Sequence, residues 1–235
     1  MRIPDTRSLR ALVFDFDHTL TDFGRGVDWQ AARAEVSALY ARAGVDPAHL
    51  PPHGPFSLFA ALDEAVAVQH SRARADKARS EAFQILTAYE CAGAARASLL
   101  PGAAIALAAA TAAGLGLGIV STNAESAIRL VLARLGVEAR FTAVIGRTLE
   151  RPLKPAPDMH REALRLLGCA ADAALGIGDS VGDMRAAAAA GMLSVGVVGG
   201  EGQPEDLFAA GACYVLADLT ALPPLLALWA RAAEV

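Results

Sequence analysis

Asp15 and Asp17 stand two residues apart at the end of the apolar run Ala11-Leu12-Val13-Phe14, and His18-Thr19-Leu20 follow them. A short apolar run bounded by polar residues has the pattern of a buried strand, and in open α/β sheets ligands bind beyond the carboxyl ends of the strands. Residues i and i+2 of an extended chain point the same way, roughly 7 Å apart at about 3.3 Å per residue. From such positions one carboxylate can attack a phosphorus centre while the other reaches the leaving oxygen. An isolated pair of this kind is common in exposed loops, so its meaning depends on what lies downstream.

Three further polar groups follow or flank strand-like runs. Ser121-Thr122-Asn123 comes directly after Gly118-Ile119-Val120. Small hydroxyls and free backbone N–H groups at a strand-to-helix turn can hold phosphate oxygens, and the same residue types are also preferred helix caps. Lys154 lies in Leu153-Lys154-Pro155-Ala156-Pro157-Asp158, ahead of a helix expected over Met159 to Leu167. A fixed ammonium there can neutralise a nucleophilic carboxylate and a phosphoryl oxygen together. A solvated loop lysine is the plainer alternative. Finally, the run Ala174 to Ile177 leads into Gly178-Asp179-Ser180-Val181-Gly182-Asp183. If a helix starts at that turn, acids at i and i+4 share a face and can meet a hard cation such as Mg²⁺, which takes oxygen ligands and keeps several waters. Helix capping would account for Asp179 but not for Asp183 or the glycines.

The elements that must carry these groups are readable from hydrophobic periodicity. After the first strand, helical patterns run from Trp29 to Arg42, from Leu58 to Gln69 and from Ala73 to Cys91, interrupted by Gly44, Asp46-Pro47 and the proline-rich Pro51-Pro52-His53-Gly54-Pro55. From Pro101 onward helices alternate with short apolar runs: Leu117 to Val120, Phe141 to Ile145, Ala174 to Ile177, Leu193 to Val198 and Ala212 to Leu216. The alternation predicts an α/β protein, a Rossmann-like parallel sheet with helices on both faces. Residues 1–22 and 98–235 would form this core, and residues 23–97 an inserted all-helical cap domain.

Composition limits the function classes. A chain of 235 residues with 54% hydrophobic content, much of it alanine, 20% charged residues and a formal charge of -4 is globular and mildly acidic, so neither nucleic acid nor membrane is an expected partner. The uncharged stretch Ala97 to Ala124 is long enough to cross a bilayer, but Pro101-Gly102 breaks its start and its end alternates with strand period, which favours a helix followed by a strand. Cys91, Cys169 and Cys213 have no metal spacing and read as buried, inert thiols. With an N-terminus that has no apolar signal core, they suggest a reducing cytoplasm.

In this order, D-x-D-x-T, a Ser/Thr after a strand, a Lys ahead of a helix and G-D-S-x-G-D resemble the haloacid dehalogenase superfamily of phosphatases and phosphotransferases. The resemblance implies that Asp15 is the nucleophile, forming an aspartyl phosphate, and that Asp17 is the acid and then the base. It places Ser121 and Lys154 at the phosphate, with Thr122 as the other candidate hydroxyl and Asn123 beside it. It implies Mg²⁺ as cofactor, held by Asp15, Asp179 and the backbone carbonyl of Asp17, with Asp183 as an indirect or direct partner. The insertion at 23–97 is similar to the cap of the branch that includes phosphoglycolate phosphatases and β-phosphoglucomutases, which implies a small phosphorylated metabolite as substrate, with cap residues such as Arg25, Trp29 and Arg33 facing either pocket or solvent.

The chain departs from the family pattern at His18, where glycine is usual; the preferred reading is that His18 tolerates the turn, the other that it touches substrate. A haloacid dehalogenase would not need Asp17, Asp179 and Asp183 together. A phosphonatase would need a cap lysine, and only Lys77 is present there, on a face that reads as solvated. A receiver-like signalling module would need no cap, and an idle scaffold would not need every charged position intact.

Overall fold

The computed structural model describes residues 9–45, 62 and 64–232, with side chains to residue 228. Six strands form one parallel sheet: β1 (Ala11–Phe14), β2 (Gly116–Ala124), β3 (Ala143–Arg147), β4 (Ala174–Gly178), β5 (Leu193–Val197) and β6 (Tyr214–Leu216), in the order β3-β2-β1-β4-β5-β6. The order reverses at β1, where Phe14 is level with Ile119 on one side and Ile177 on the other. That switch point leaves a crevice beyond the strand ends.

Both faces of the sheet are covered, as the near-continuous apolar strands require. In β1, Leu12 and Phe14 pack on one side with Leu107, Ile128 and Leu222. Ala11 and Val13 pack on the other with Met159 and Ala163. The first side is roofed by α3 (Ala103–Ala112), α4 (Glu125–Arg134) and α8 (Leu222–Ala232), the second by α5 (Asp158–Leu167) and α6 (Val181–Ala189); the short α7 (Pro204–Ala209) adds Leu207 to a small cluster with Met184. The uncharged stretch 97–124 is thus α3 plus β2, and among the described residues no helix is long and apolar enough to cross a membrane.

Between β1 and β2 lie α1 (Trp29–Arg42) and α2 (Arg72–Gly93), with residues 64–69 also helical. Asp28 caps α1 by accepting from the Ala31 N–H, and Ser71 caps α2 by accepting from Arg74. The two helices bury their own cluster, with Val36, Leu39 and Tyr40 against Ala78, Ala82 and Leu86. The chain leaves and re-enters the core side by side: the Asp22 N–H donates to Ser98 O at 3.1 Å, and the Ser98 N–H to Asp22 Oδ1 at 2.6 Å.

Several expectations shift. Strand β2 runs past Val120 to Ala124, and β3 sits two residues later than Phe141 to Ile145. The Ser-Thr-Asn group is therefore extended strand, and the α4 N-cap is Ala124 with no side-chain cap. The three cysteines are free but half-buried, not buried. The loop 51–55 and the beginning of the Leu58 to Gln69 helix lie outside the described residues.

Candidate active site

Asp15 follows the last residue of β1 and is anchored by its N–H to Ile177 O at 2.7 Å. Directly across, Asp179 follows β4. Ser180 begins the next turn as the N-cap of α6, in a reciprocal box with Asp183: Ser180 Oγ accepts from the Asp183 N–H at 3.2 Å, and Asp183 Oδ2 accepts from the Ser180 N–H at 3.0 Å and hydroxyl at 2.6 Å. The capping is thus done by Ser180 and not by Asp179, which leaves Asp179 to face Asp15. Carboxylate oxygens of Asp15, Asp179 and Asp183 lie within 4.8 Å of one another, all buried.

Three acids this close need positive charge. Lys154 supplies one: its ammonium donates to Asp15 Oδ1 at 2.6 Å, to Asp183 Oδ1 and to Val120 O at 3.3 Å. Burial works against the lysine charge, but Asp15 and Asp183 outweigh it and raise Lys154 above the ordinary lysine value. Burial also pushes Asp183 up, yet the Lys154 charge and hydrogen bond and the Ser180 hydroxyl bring it below the usual carboxylate range. Asp15 goes the other way, raised by burial and by the neighbouring acids against the pull of Lys154. Asp179 is pushed up to about 6 by burial and by Asp183. Lys154 bonds one oxygen of Asp15 and one of Asp183 but none of Asp179, so a single cation faces three acids and the Asp15–Asp179 side remains short of positive charge; its hard oxygen donors fit a Mg²⁺ ion.

Asp179 is also held from both sides. Its Oδ1 accepts from the Thr19 hydroxyl at 3.2 Å and its Oδ2 from the Glu201 N–H at 2.9 Å. The β5–α7 loop comes so close that a Cβ on Gly200 would overlap the Asp179 carboxylate.

Asp17 is turned away from this cluster. Its Oδ1 accepts from the Gly24 N–H at 2.8 Å and from the His18 N–H at 3.1 Å. Burial raises its pKa despite those bonds, which favours the proton-carrying form. His18 adopts a left-handed backbone, φ 61°, the conformation for which glycine is the unstrained choice. Its ring also lines the pocket, with Nε2 3.8 Å from Asp17 Oδ2.

A cavity of about 700 Å³ opens over these groups. Its walls include Asp15, Asp17, Lys154, Asp179, Asp183 and the Ser121-Thr122-Asn123 segment, so the residues singled out in the sequence converge on one space. Trp29, at the start of α1, also lines it, its indole N–H donating to Gly24 O at 3.0 Å. Lys77, Arg25 and Arg33 are exposed and do not line it.

Sequence reasoning passed over two buried charges beside the site, Glu90 on α2 and Arg147 at the end of β3, paired at 2.8 Å. Glu90 had a signal. It continues the buried stripe Ala75, Ala78, Ala82, Leu86 at helical spacing, so a carboxylate was set where the pattern asks for an apolar side chain.

A family profile for haloacid dehalogenase-like hydrolases matches residues 9–191. The chain belongs to that family. Among curated proteins it is similar to a phosphoglycolate phosphatase of Xanthomonas campestris pv. campestris, 33% identical over 203 residues, covering 85% of this chain and 86% of the relative. A phosphoglycolate phosphatase of Rhodospirillum rubrum is 35% identical over 154 residues, 63% of this chain and 64% of its own. The fold is shared with a hydrolase from Pseudomonas syringae, at TM-score 0.68 and 23% identity over 93% of this chain and 98% of that one. It is shared as well with CbbY from Rhodobacter sphaeroides, solved in complex with phosphate, at TM-score 0.62 and 23% identity over 91% and 96% of the two chains. Family membership makes this chain a hydrolase, and the curated relatives are phosphatases.

Proposed function

We propose that this chain is a Mg²⁺-dependent phosphatase that hydrolyses a small phosphorylated metabolite through an aspartyl phosphate on Asp15. The observation that carries the reading is the Lys154 ammonium bound to Asp15 and Asp183 inside a buried group of three carboxylates, at the floor of a pocket that also presents Ser121 and Asn123. An Asp15 oxygen attacks phosphorus as the bond to the substrate alcohol breaks, and Asp17 gives its proton to the departing oxygen. Water then attacks the phosphoryl group while Asp17 takes up its proton, the acyl–phosphate bond breaks, and inorganic phosphate leaves with the Asp15 carboxylate restored. Lys154 and the hydroxyl of Ser121 or Thr122 hold the phosphoryl oxygens.

Asp15, Asp179, Asp183 and the Asp17 carbonyl would hold the Mg²⁺, which supplies charge neutralisation between the acids and a dianionic phosphate. Residues 23–97 act as the cap over a core of 1–22 and 98–235. Two features support this division: the separate apolar cluster of α1 and α2, and the paired chain crossing at Asp22 and Ser98. Among the described cap residues, Trp29 lines the pocket and is placed to meet the leaving group. The names of the curated relatives support a small soluble substrate, and three free thiols accord with a cytoplasmic enzyme.

The test is phosphate release from a panel of phosphorylated metabolites, with Mg²⁺ and with excess EDTA after exhaustive dialysis. The expected result is turnover of small phosphomonoesters that chelation abolishes. Absence of turnover across the panel would overturn the activity, and full turnover in EDTA would overturn the metal.

A further inference from the structure

We propose that Glu90 and Arg147 are positioning residues for the phosphate-binding hydroxyl, acting from helix α2 through Asn123 on Ser121. The assignment rests on the phosphatase reading above. Glu90 is fully buried, and a buried carboxylate is tolerated only when its oxygens are filled by donors. All of its partners belong to the site end of the sheet. Oε1 accepts from Asn123 Nδ2 at 2.9 Å and Arg147 Nη1 at 3.2 Å. Oε2 accepts from the Ala124 N–H at 3.0 Å and Arg147 Nη2 at 2.8 Å. The guanidinium and carboxylate meet as two parallel bonds, a geometry that fixes orientation as well as distance.

Arg147 extends the same grip. Its Nη1 also donates to Thr122 O at 2.8 Å and its Nη2 to Thr87 Oγ1 at 3.4 Å, and its guanidinium lies 4.9 Å from the Phe83 ring centre. Three residues of α2 thus hold one arginine, and that arginine with Glu90 holds the last three residues of β2.

The consequence reaches the pocket through the Asn123 amide. Because its Nδ2 is taken by Glu90, its Oδ1 must face Ser121, and it accepts the Ser121 hydroxyl at 2.8 Å. The Asn123 N–H donates to the same Ser121 Oγ at 3.2 Å. Ser121 Oγ is thereby held in place before any phosphate arrives. When a phosphoryl oxygen enters, the hydroxyl hydrogen can turn to it while the Asn123 N–H keeps the oxygen fixed. A hydroxyl set in advance binds phosphate without the cost of ordering it first. A merely structural staple between α2 and the sheet would not need to end on a pocket residue, since a buried ion pair can be replaced by apolar side chains with little loss of stability.

That last fact supplies the experiment. The double replacement Glu90→Met with Arg147→Met removes the network and leaves no unpaired charge. Glu90→Asp keeps the charge opposite Arg147 but withdraws the carboxylate from Asn123, and serves if the double variant does not fold. Binding of inorganic phosphate is measured by calorimetry in Mg²⁺, and KM and kcat on p-nitrophenyl phosphate alongside, in the wild type and in a Ser121→Ala background. The expected outcome is a protein that still folds, its unfolding temperature lowered because the Asn123 amide, the Ala124 N–H and Thr122 O lose buried partners, with phosphate affinity and kcat/KM lower by about ten- to a hundredfold, the scale of a hydrogen bond to a charged group. In the Ser121→Ala background the same replacements should add no further loss, because they act through that hydroxyl. Unchanged phosphate affinity in a folded variant, or a full additional loss without Ser121, would overturn the assignment while the phosphatase reading stood. A wild-type protein that binds no phosphate would overturn both.

Discussion

At the scale of single residues, Asp15 and Asp17 carry the same functional group and differ only in where the chain sends it. One faces a lysine and two acids; the other faces backbone N–H groups and a histidine. Their replacements should therefore fail differently. Asp15→Asn removes the proposed attacking oxygen, so rapid quench should trap no phosphoenzyme and turnover should fall to background. Asp17→Asn should still phosphorylate itself from p-nitrophenyl phosphate, whose leaving group needs little protonation, while alkyl phosphates lose about 10² to 10⁴ in rate. Equal losses on both substrates would refute the division of roles. His160, on α5 beneath Lys154, offers a prediction about stability. Burial first, and the Lys154 charge second, lower its pKa from 6.5 to about 4. Above pH 6.5 it is neutral whether folded or not. As pH falls from 6.5 toward 4 the unfolded chain takes up a proton that the folded protein refuses, so stability drops by about 3 kcal/mol across that window. His160→Leu in EDTA should lose that part of the decline, seen as a flatter urea midpoint between pH 6.5 and 4. An unchanged slope would mean another group is responsible.

At the scale of elements, the site depends on loops that approach its carboxylates too closely for side chains. The β5–α7 loop is the clearest case, because Gly200 lies against Asp179. Gly200→Ala should push that carboxylate off its position between Thr19 and Glu201. Loss of such supporting contacts typically weakens metal binding 10–100-fold. The Mg²⁺ concentration for half-maximal activity should rise by about that factor with little change in kcat at saturation, whereas an unaltered Mg²⁺ requirement would separate this loop from the metal. The helices and most strands were legible because apolar spacing of 3.6 or 2 is imposed by the core itself: α1 matched its expected bounds, and α2 extends the expected Ala73 to Cys91 by one residue before and two after. Strand ends were not. Ser121, Thr122 and Asn123 read as a turn because polar residues normally end a buried strand, whereas β2 continues through them past a register irregularity to pair again at Ala124 with Arg147, where Arg147 also takes Thr122 O and Glu90 takes the Ala124 N–H. The same guanidinium, buried by partners far away in sequence, carries β3 two residues beyond its expected end. Spacing revealed Asp15 and Asp179 just past strand ends, Asp183 in the first turn of α6 and Lys154 in the loop ahead of α5, but pairings between the insertion and the core belong to the third dimension.

At the scale of the whole molecule, folding gathers Asp15, Asp179 and Asp183 around one lysine, and the protein must offset the charge left over. Without metal, part of that offset is a proton. Asp179 has an ordinary value of 3.8 and a folded value of about 6. A raised carboxylate stabilises the fold fully below its unfolded value, and that contribution is lost as pH rises through the folded value, here from about 4 to about 6. The loss amounts to about 3 kcal/mol on the usual conversion, shared with the raised Asp15 because the two acids face the same space. In the proposed metal site Mg²⁺ would replace the proton and compete with it, so the gain in stability from Mg²⁺ should be small at pH 5 and large at pH 7. At 100 times its dissociation constant a ligand that binds only the folded state adds about 2.7 kcal/mol. For a chain of this size each kcal/mol raises the unfolding temperature by about 2–4 °C, so saturating Mg²⁺ at pH 7 should raise it by roughly 5–11 °C over EDTA. Asp179→Asn removes both the titrating group and a proposed ligand; its metal-free form should be more stable than wild type at pH 7, and Mg²⁺ should help it little at either pH. Thermal unfolding of the two proteins at pH 5 and 7, with Mg²⁺ and with EDTA, checks the whole argument, and a Mg²⁺ effect equal at both pH values would show that metal and proton do not share the site.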